Sequence, residues 1–153
     1  RVFKSRVLNL IFLIRISARM IELVLSKIKI DENRSEQIIV LKERHGDRYL
    51  PVVIGIAEVN AIKLKLSGIE PPRPLTHDLL LKTIAELGAK LKEIQIDKLE
   101  NNTFFAKLIL AQNGSPEIKV DARPSDSVAL ALRAGVPIFA DEEVLNEAGV
   151  SEF

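Results

Sequence analysis

The sequence predicts an α+β fold: a single compact domain with an internal duplication of a β-β-β-α unit. Three observations carry that expectation. The chain has 153 residues, the size of one domain. Its 47% hydrophobic and 28% charged residues are those of an ordinary globular protein. Finally, a run of three strand-like segments followed by a helix-like one occurs twice.

From Met20 the periodicity can be followed element by element. Leu23, Leu25, Ile28 and Ile30 nearly alternate with polar residues, as in a strand with one irregular step. Gln37 to Leu41 reads as a short apolar strand. The turn His45-Gly46-Asp47 follows, its glycine expected to relieve a strained backbone. Tyr49 to Ile54 is a third strand, and Pro51 places it at an edge or bulge. Ala57 to Leu66 reads as a helix stopped by Gly68, with Val59, Ile62 and Leu66 on one stripe.

Pro71-Pro72-Arg73-Pro74 is a stiff extended link. Thr76 is the expected N-cap of a helix with Leu80, Ile84 and Leu87 on its inner face and Gly88 at its end. Lys90 to Leu99, Phe104 to Leu110 and Glu117 to Asp121 are three more strands, the last two joined through Asn113-Gly114. Pro124 to Arg133 is a helix whose run Val128 to Leu132 calls for burial on most sides. Val136 to Ala140 is a short strand, and Asp141 caps a last helix that stops at Gly149. The repeat aligns Lys29-Ile30-Asp31 with Gln95-Ile96-Asp97, and the helix near Glu58 with the helix near Asp126.

Residues 1–19 differ in character from the rest. They hold five basic and no acidic residues around a short apolar run, Val7 to Ile14, too short for the roughly 20 residues a bilayer demands. They read as an extension, non-native or loosely attached, with Met20 as the natural start and no stable membrane association. A signal-like segment and an amphipathic docking segment are the other readings. The remainder sets 17 basic against 21 acidic residues, a mildly acidic body that argues against a broad nucleic-acid footprint. The absence of cysteine excludes disulfides, thiolate catalysis and Cys-based zinc sites. Two histidines, His45 and His77, cannot build a three-histidine metal centre.

Two clusters carry the residue types of a phosphate site. Arg73, Thr76, His77 and Asp78 precede or open one helix; Asp121, Arg123, Ser125 and Asp126 do the same for another. Helix N-termini attract phosphate, and arginine forks onto its oxygens, so Arg73, Thr76, Arg123 and Ser125 are candidate phosphate ligands. Glu58, Asp78, Asp121 and Asp126 are candidate ligands for a hard cation, Mg²⁺ or Mn²⁺. His77 is a candidate proton carrier beside Asp78, Asp121 and Asp126. Each has a plainer role open to it: first-turn acids that favour a helix, hydroxyls that cap it, arginines paired within the fold.

The stretches Arg48 to Gly55, Pro71 to Leu79 and Asp121 to Arg133 resemble the bifunctional nuclease family. The resemblance runs from about Met20 to Gly149. It implies a compact α+β domain acting on DNA and RNA; many bacterial members of the family are small cytoplasmic proteins. Some members carry an additional C-terminal helical module resembling a UvrB/UvrC interaction motif, and no such module falls within these residues. Three functions follow as expectations: a metal-assisted nuclease, a non-catalytic anion-binding or regulatory module, and a structural homo-oligomer.

Overall fold

The structure, a computed structural model, describes residues 19–31 and 33–153. The expected extension, Arg19 apart, lies outside the described residues. The elements run β1 (Met20–Lys29), β2 (Glu36–Glu43), β3 (Tyr49–Gly55), α1 (Ile56–Leu66), α2 (Thr76–Glu86), β4 (Ala89–Glu100), β5 (Thr103–Gln112), β6 (Ile118–Ala122), α3 (Pro124–Ala134), β7 (Ile138–Asp141) and α4 (Glu142–Ala148). Among the described residues no helix is long and apolar enough to cross a membrane.

The strands form one seven-stranded sheet in the order β3-β2-β1-β7-β4-β5-β6. β1, β2 and β3 form one antiparallel meander and β4, β5 and β6 another, each followed by a helix. The last strand, β7, lies between them, antiparallel to β1 and parallel to β4. The irregular step of β1 is a bulge between Leu25 and Lys27. Pro51 sits on β3, an edge strand, where its missing N–H leaves no gap in the ladder. The outer side of β3 is closed further by Val150, which exchanges backbone hydrogen bonds with Tyr49 at 2.8 Å each way.

The sheet curls strongly. Residues of β3, the β4–β5 turn and the start of α3 line a common cavity, although β2, β1 and β7 separate β3 from β4 in the strand order. Helix α3 fills the curl and touches α1, α2, β3, β4 and β5. Its residues Pro124, Ser125 and Ser127 to Ala131 are buried, as the apolar run requires. Gly135 ends α3 in the left-handed region (φ 67°), where a side chain would be strained. Asp141 caps α4 by accepting from the Glu143 N–H at 2.8 Å.

Several local expectations are corrected. Thr76 is the first helical residue of α2 and Leu75 precedes it as N-cap; the carboxylate of Asp78 reaches back to the Leu75 N–H at 3.0 Å. Ile84 is buried and Leu81 packs against the core, whereas Leu80 and Leu87 face solvent. The α2 stripe is rotated because only its α3 and β4 side is covered. Gly46 has an ordinary φ; its glycine is required by space, since a Cβ there would stand 2.3 Å from Glu43 Oε2. That carboxylate is held by Arg48, through Nη2 at 2.7 Å and the backbone N–H at 3.0 Å. Ile30 falls just beyond β1, and β7 begins at Ile138 rather than Val136.

Candidate functional site

Helices α1, α2 and α3 bring their N-terminal turns around an open cleft of about 730 Å³. Glu58 and Ala61 line it from α1, Leu75 to His77 from α2, and Arg123 and Asp126 from α3. Each side chain is delivered by its helix start. Pro74 stiffens the approach to α2, so His77 and Asp78 fall in the first turn. Pro124 at the start of α3 fixes Arg123 at the N-cap and puts Asp126 one turn along. Gly55 leaves space for Glu58, whose Oε2 would stand 2.4 Å from a Cβ there.

The side chains form a continuous chain of contacts. His77 Nε2 lies 3.0 Å from Asp126 Oδ1, Arg123 Nε donates to Asp126 Oδ2 at 2.7 Å, and Arg123 Nη2 donates to Glu58 Oε1 at 2.9 Å. Burial works against ionisation of Asp126, but the hydrogen bonds from Arg123 and His77 outweigh it and hold its carboxyl below the ordinary carboxylate range. The same contact with Asp126, supported by Glu58, holds Arg123 still more firmly protonated. An ionised carboxylate only accepts, so the proton between His77 and Asp126 is on Nε2. In the neutral ring Nδ1 then carries the lone pair, with no hydrogen-bond partner among the described residues. Arg123 is 66% exposed at its side chain, and its Nη1 group has no partner among the described residues.

Asp78 belongs to a second arrangement. Arg133, with a side chain only 5% exposed, donates to Asp78 Oδ1 at 2.8 Å, to the Ala61 carbonyl at 3.0 Å and to the Ala129 carbonyl at 3.2 Å. It therefore ties α1, α2 and its own helix together. Burial opposes the ionisation of Asp78 as well, but the Leu75 N–H and Arg133 hold its carboxyl low. Arg133 is not among the candidates that the sequence offers. Its signal was an arginine closing a helix that the apolar run buries on most sides, a position that demands a carboxylate partner.

Of the other candidates, Thr76 touches the cleft at its rim, and Asp121, Ser125 and Arg73 stand apart from it. Asp121 is exposed on β6, opposite Lys107 of β5. Ser125 is buried and lines the neighbouring cavity between β3 and the β4–β5 turn. Arg73 is exposed in the proline segment, and Thr76 is exposed at the rim of the cleft. Among the described residues no three Asp, Glu or His side chains converge as ligands of one cation. Both oxygens of Asp126 and both of Asp78 already accept hydrogen bonds from other groups. Arranged in this way, Glu58, Asp78, Asp121 and Asp126 do not fit a shared Mg²⁺ or Mn²⁺.

Comparison with known proteins agrees with this geometry in its extent. The model of the bifunctional nuclease domain matches residues 39–152, which include the whole cleft. The chain belongs to the bifunctional nuclease domain family. A protein of Mycobacterium tuberculosis, named only as uncharacterised, is 52% identical over 123 residues, covering 80% of this chain and 73% of its own. Bifunctional nuclease 1 of Oryza sativa is 25% identical over 126 residues, 80% of this chain but 38% of the plant protein. Bifunctional nuclease 1 of Arabidopsis thaliana is 27% identical over 104 residues, 65% of this chain and 32% of its own. The chain thus matches only a minor part of the length of these plant relatives.

Proposed function

We propose that the chain hydrolyses phosphodiester bonds of DNA and RNA in the cleft between α1, α2 and α3. The observation that carries the proposal is Asp126, held ionised between His77 and the exposed guanidinium of Arg123. Membership of the nuclease-domain family supports it. In this reading Arg123 takes the phosphate oxygens through its free N–H groups, and Thr76 and the first turn of α2 add donors at the rim. His77 Nδ1 takes a proton from the attacking water as the new O–P bond forms. The imidazolium, steadied by Asp126, returns that proton to the leaving oxygen as the ester P–O bond breaks. Glu58 positions Arg123, and Asp78 positions α2 through Arg133. The proposal extends to a cytoplasmic protein and to two β-β-β-α halves that are copies of one unit.

The test is a nuclease assay on the 153-residue chain with single-stranded DNA and RNA, in Mg²⁺, in Mn²⁺ and in EDTA. His77→Ala, Arg123→Ala and Asp126→Asn run alongside, each checked for folding by circular dichroism. Cleavage lost in the folded variants is the expected result. Cleavage that persists equally in all of them would overturn the proposal. Cleavage abolished by EDTA would require cation ligands other than the arrangement described. A second reading, a non-catalytic anion-binding module, is favoured by one observation: the acids of the cleft are already engaged, leaving Arg123 as its open charge. Phosphate-oligomer binding by a folded chain that cleaves nothing would select it.

A further inference from the structure

The two edges of the sheet are unlike. β3 is closed by Pro51 and by the Tyr49–Val150 bridge. β6 pairs on one side with β5, and among the described residues no strand pairs with its other side. An open edge is a template for another strand. On β6, Ile118 and Val120 are 38% and 39% exposed, although their neighbours across the ladder, Leu110 and Leu108, are buried. The core therefore runs out unfinished at this edge.

We propose that β6 is the interface of a symmetric homodimer, in which β6 of a second copy pairs antiparallel with it about Val120. The sequence selects this register. Centred on Val120, the pairing sets Lys119 opposite Asp121 of the partner subunit and Glu117 opposite Arg123 of the partner subunit. It also sets Pro116 opposite Pro124 of the partner subunit, so the residues that cannot donate to a ladder fall outside the paired stretch at both ends. Val120 meets its own copy and extends the apolar face of Leu108 and Leu110. A one-residue slip would set apolar against charged faces. A two-residue slip would set Lys119 against Lys119 of the partner subunit, or Asp121 against Asp121 of the partner subunit, and like charges directly opposed disfavour pairing. A two-fold axis is the usual symmetry of such an assembly.

The register yields its own test. Sedimentation velocity over a concentration series gives the dimer constant of the full chain. Lys119→Asp leaves only acids at the paired positions and Asp121→Lys only lysines, so each variant alone is expected to dimerise at least about tenfold more weakly. An equal mixture of the two restores both opposite-charge pairs and is expected to recover a heterodimer. Val120→Lys, at an already exposed position, is a further variant that opposes like charges at the axis. Thermal melts at low concentration check that each monomer is folded. A wild-type chain monomeric at its highest soluble concentration would overturn the proposal. So would a dimer indifferent to both charge variants, or a mixture that stays monomeric.

Discussion

The starts of α2 and α3 carry the same residue types, an arginine, a hydroxyl and a first-turn carboxylate, and the fold puts them to different uses. At α2, Asp78 turns inward to Arg133, which also takes carbonyls of α1 and α3. At α3, Asp126 turns into the open cleft and joins His77 to Arg123. The hydroxyls diverge in the opposite sense: Thr76 is at the rim, while Ser125 is buried away from it. The same local motif is thus a clasp between helices in one place and an array open to the cleft in the other. What separates them is the exposure of the arginine each carboxylate meets, 5% for Arg133 and 66% for Arg123.

The comparison is broken most forcefully at Arg133. Arg133→Ala leaves Asp78 without its cationic partner, removes the side-chain bonds that tie the Ala61 and Ala129 carbonyls together and vacates a buried position, and is expected to cost about 3 kcal/mol. The melting temperature should fall by about 10 °C for a chain of this size, measured by calorimetry. His77→Ala should instead leave the melting temperature within about 3 °C and lower kcat about 100-fold or more, since a positioned base is worth that much. If His77→Ala destabilised as much as Arg133→Ala, the two entrances would both be clasps.

Acid titration sharpens the contrast. Asp78 and Asp126 both lie below the ordinary value of 3.8, so their contribution to stability is complete above that value and is lost as pH falls through the folded-state values. Melting temperatures measured from pH 5 down to pH 2 should decline less steeply in Asp78→Asn and in Asp126→Asn than in the wild type. Both carboxylates are partly open to solvent, so each difference should amount to about 1 kcal/mol or less. Gly55→Ala is the mildest change. Its Cβ displaces the flexible end of Glu58 and removes one anchor of Arg123. Substrate KM should rise a few-fold with kcat unchanged.

Much of the fold is legible along the chain because it is decided locally. The bulge of β1 is visible as a break in alternation, the edge position of β3 as Pro51, the burial of α3 as an unbroken apolar run, and the cap of α4 as Asp141. The α2 stripe is not legible: Leu80, Ile84 and Leu87 share a helix face, but which side of α2 is covered depends on where α3 and β4 arrive. The site is legible in the same partial way. His77, Arg123, Asp126 and Glu58 stand out in the sequence by residue type, but their meeting across 49 and 65 positions is set by the fold. Asp78 is separated from them by Arg133, 55 positions further on. No local pattern around Asp78 announces that partner.

The position of β7 sets an order on biosynthesis. The strand that completes the sheet leaves the ribosome after the other six, and it enters between β1 and β4, bridging Met20 to Asp141 and Ile94 to Ile138. Until residue 141 has emerged, each meander carries an inner edge, β1 or β4, with no strand on it. Such edges are adhesive, and ladder contacts between distant residues form slowly. A chain stalled before β7 is therefore expected to need protection from its neighbours, while one released after it closes both edges in a single event.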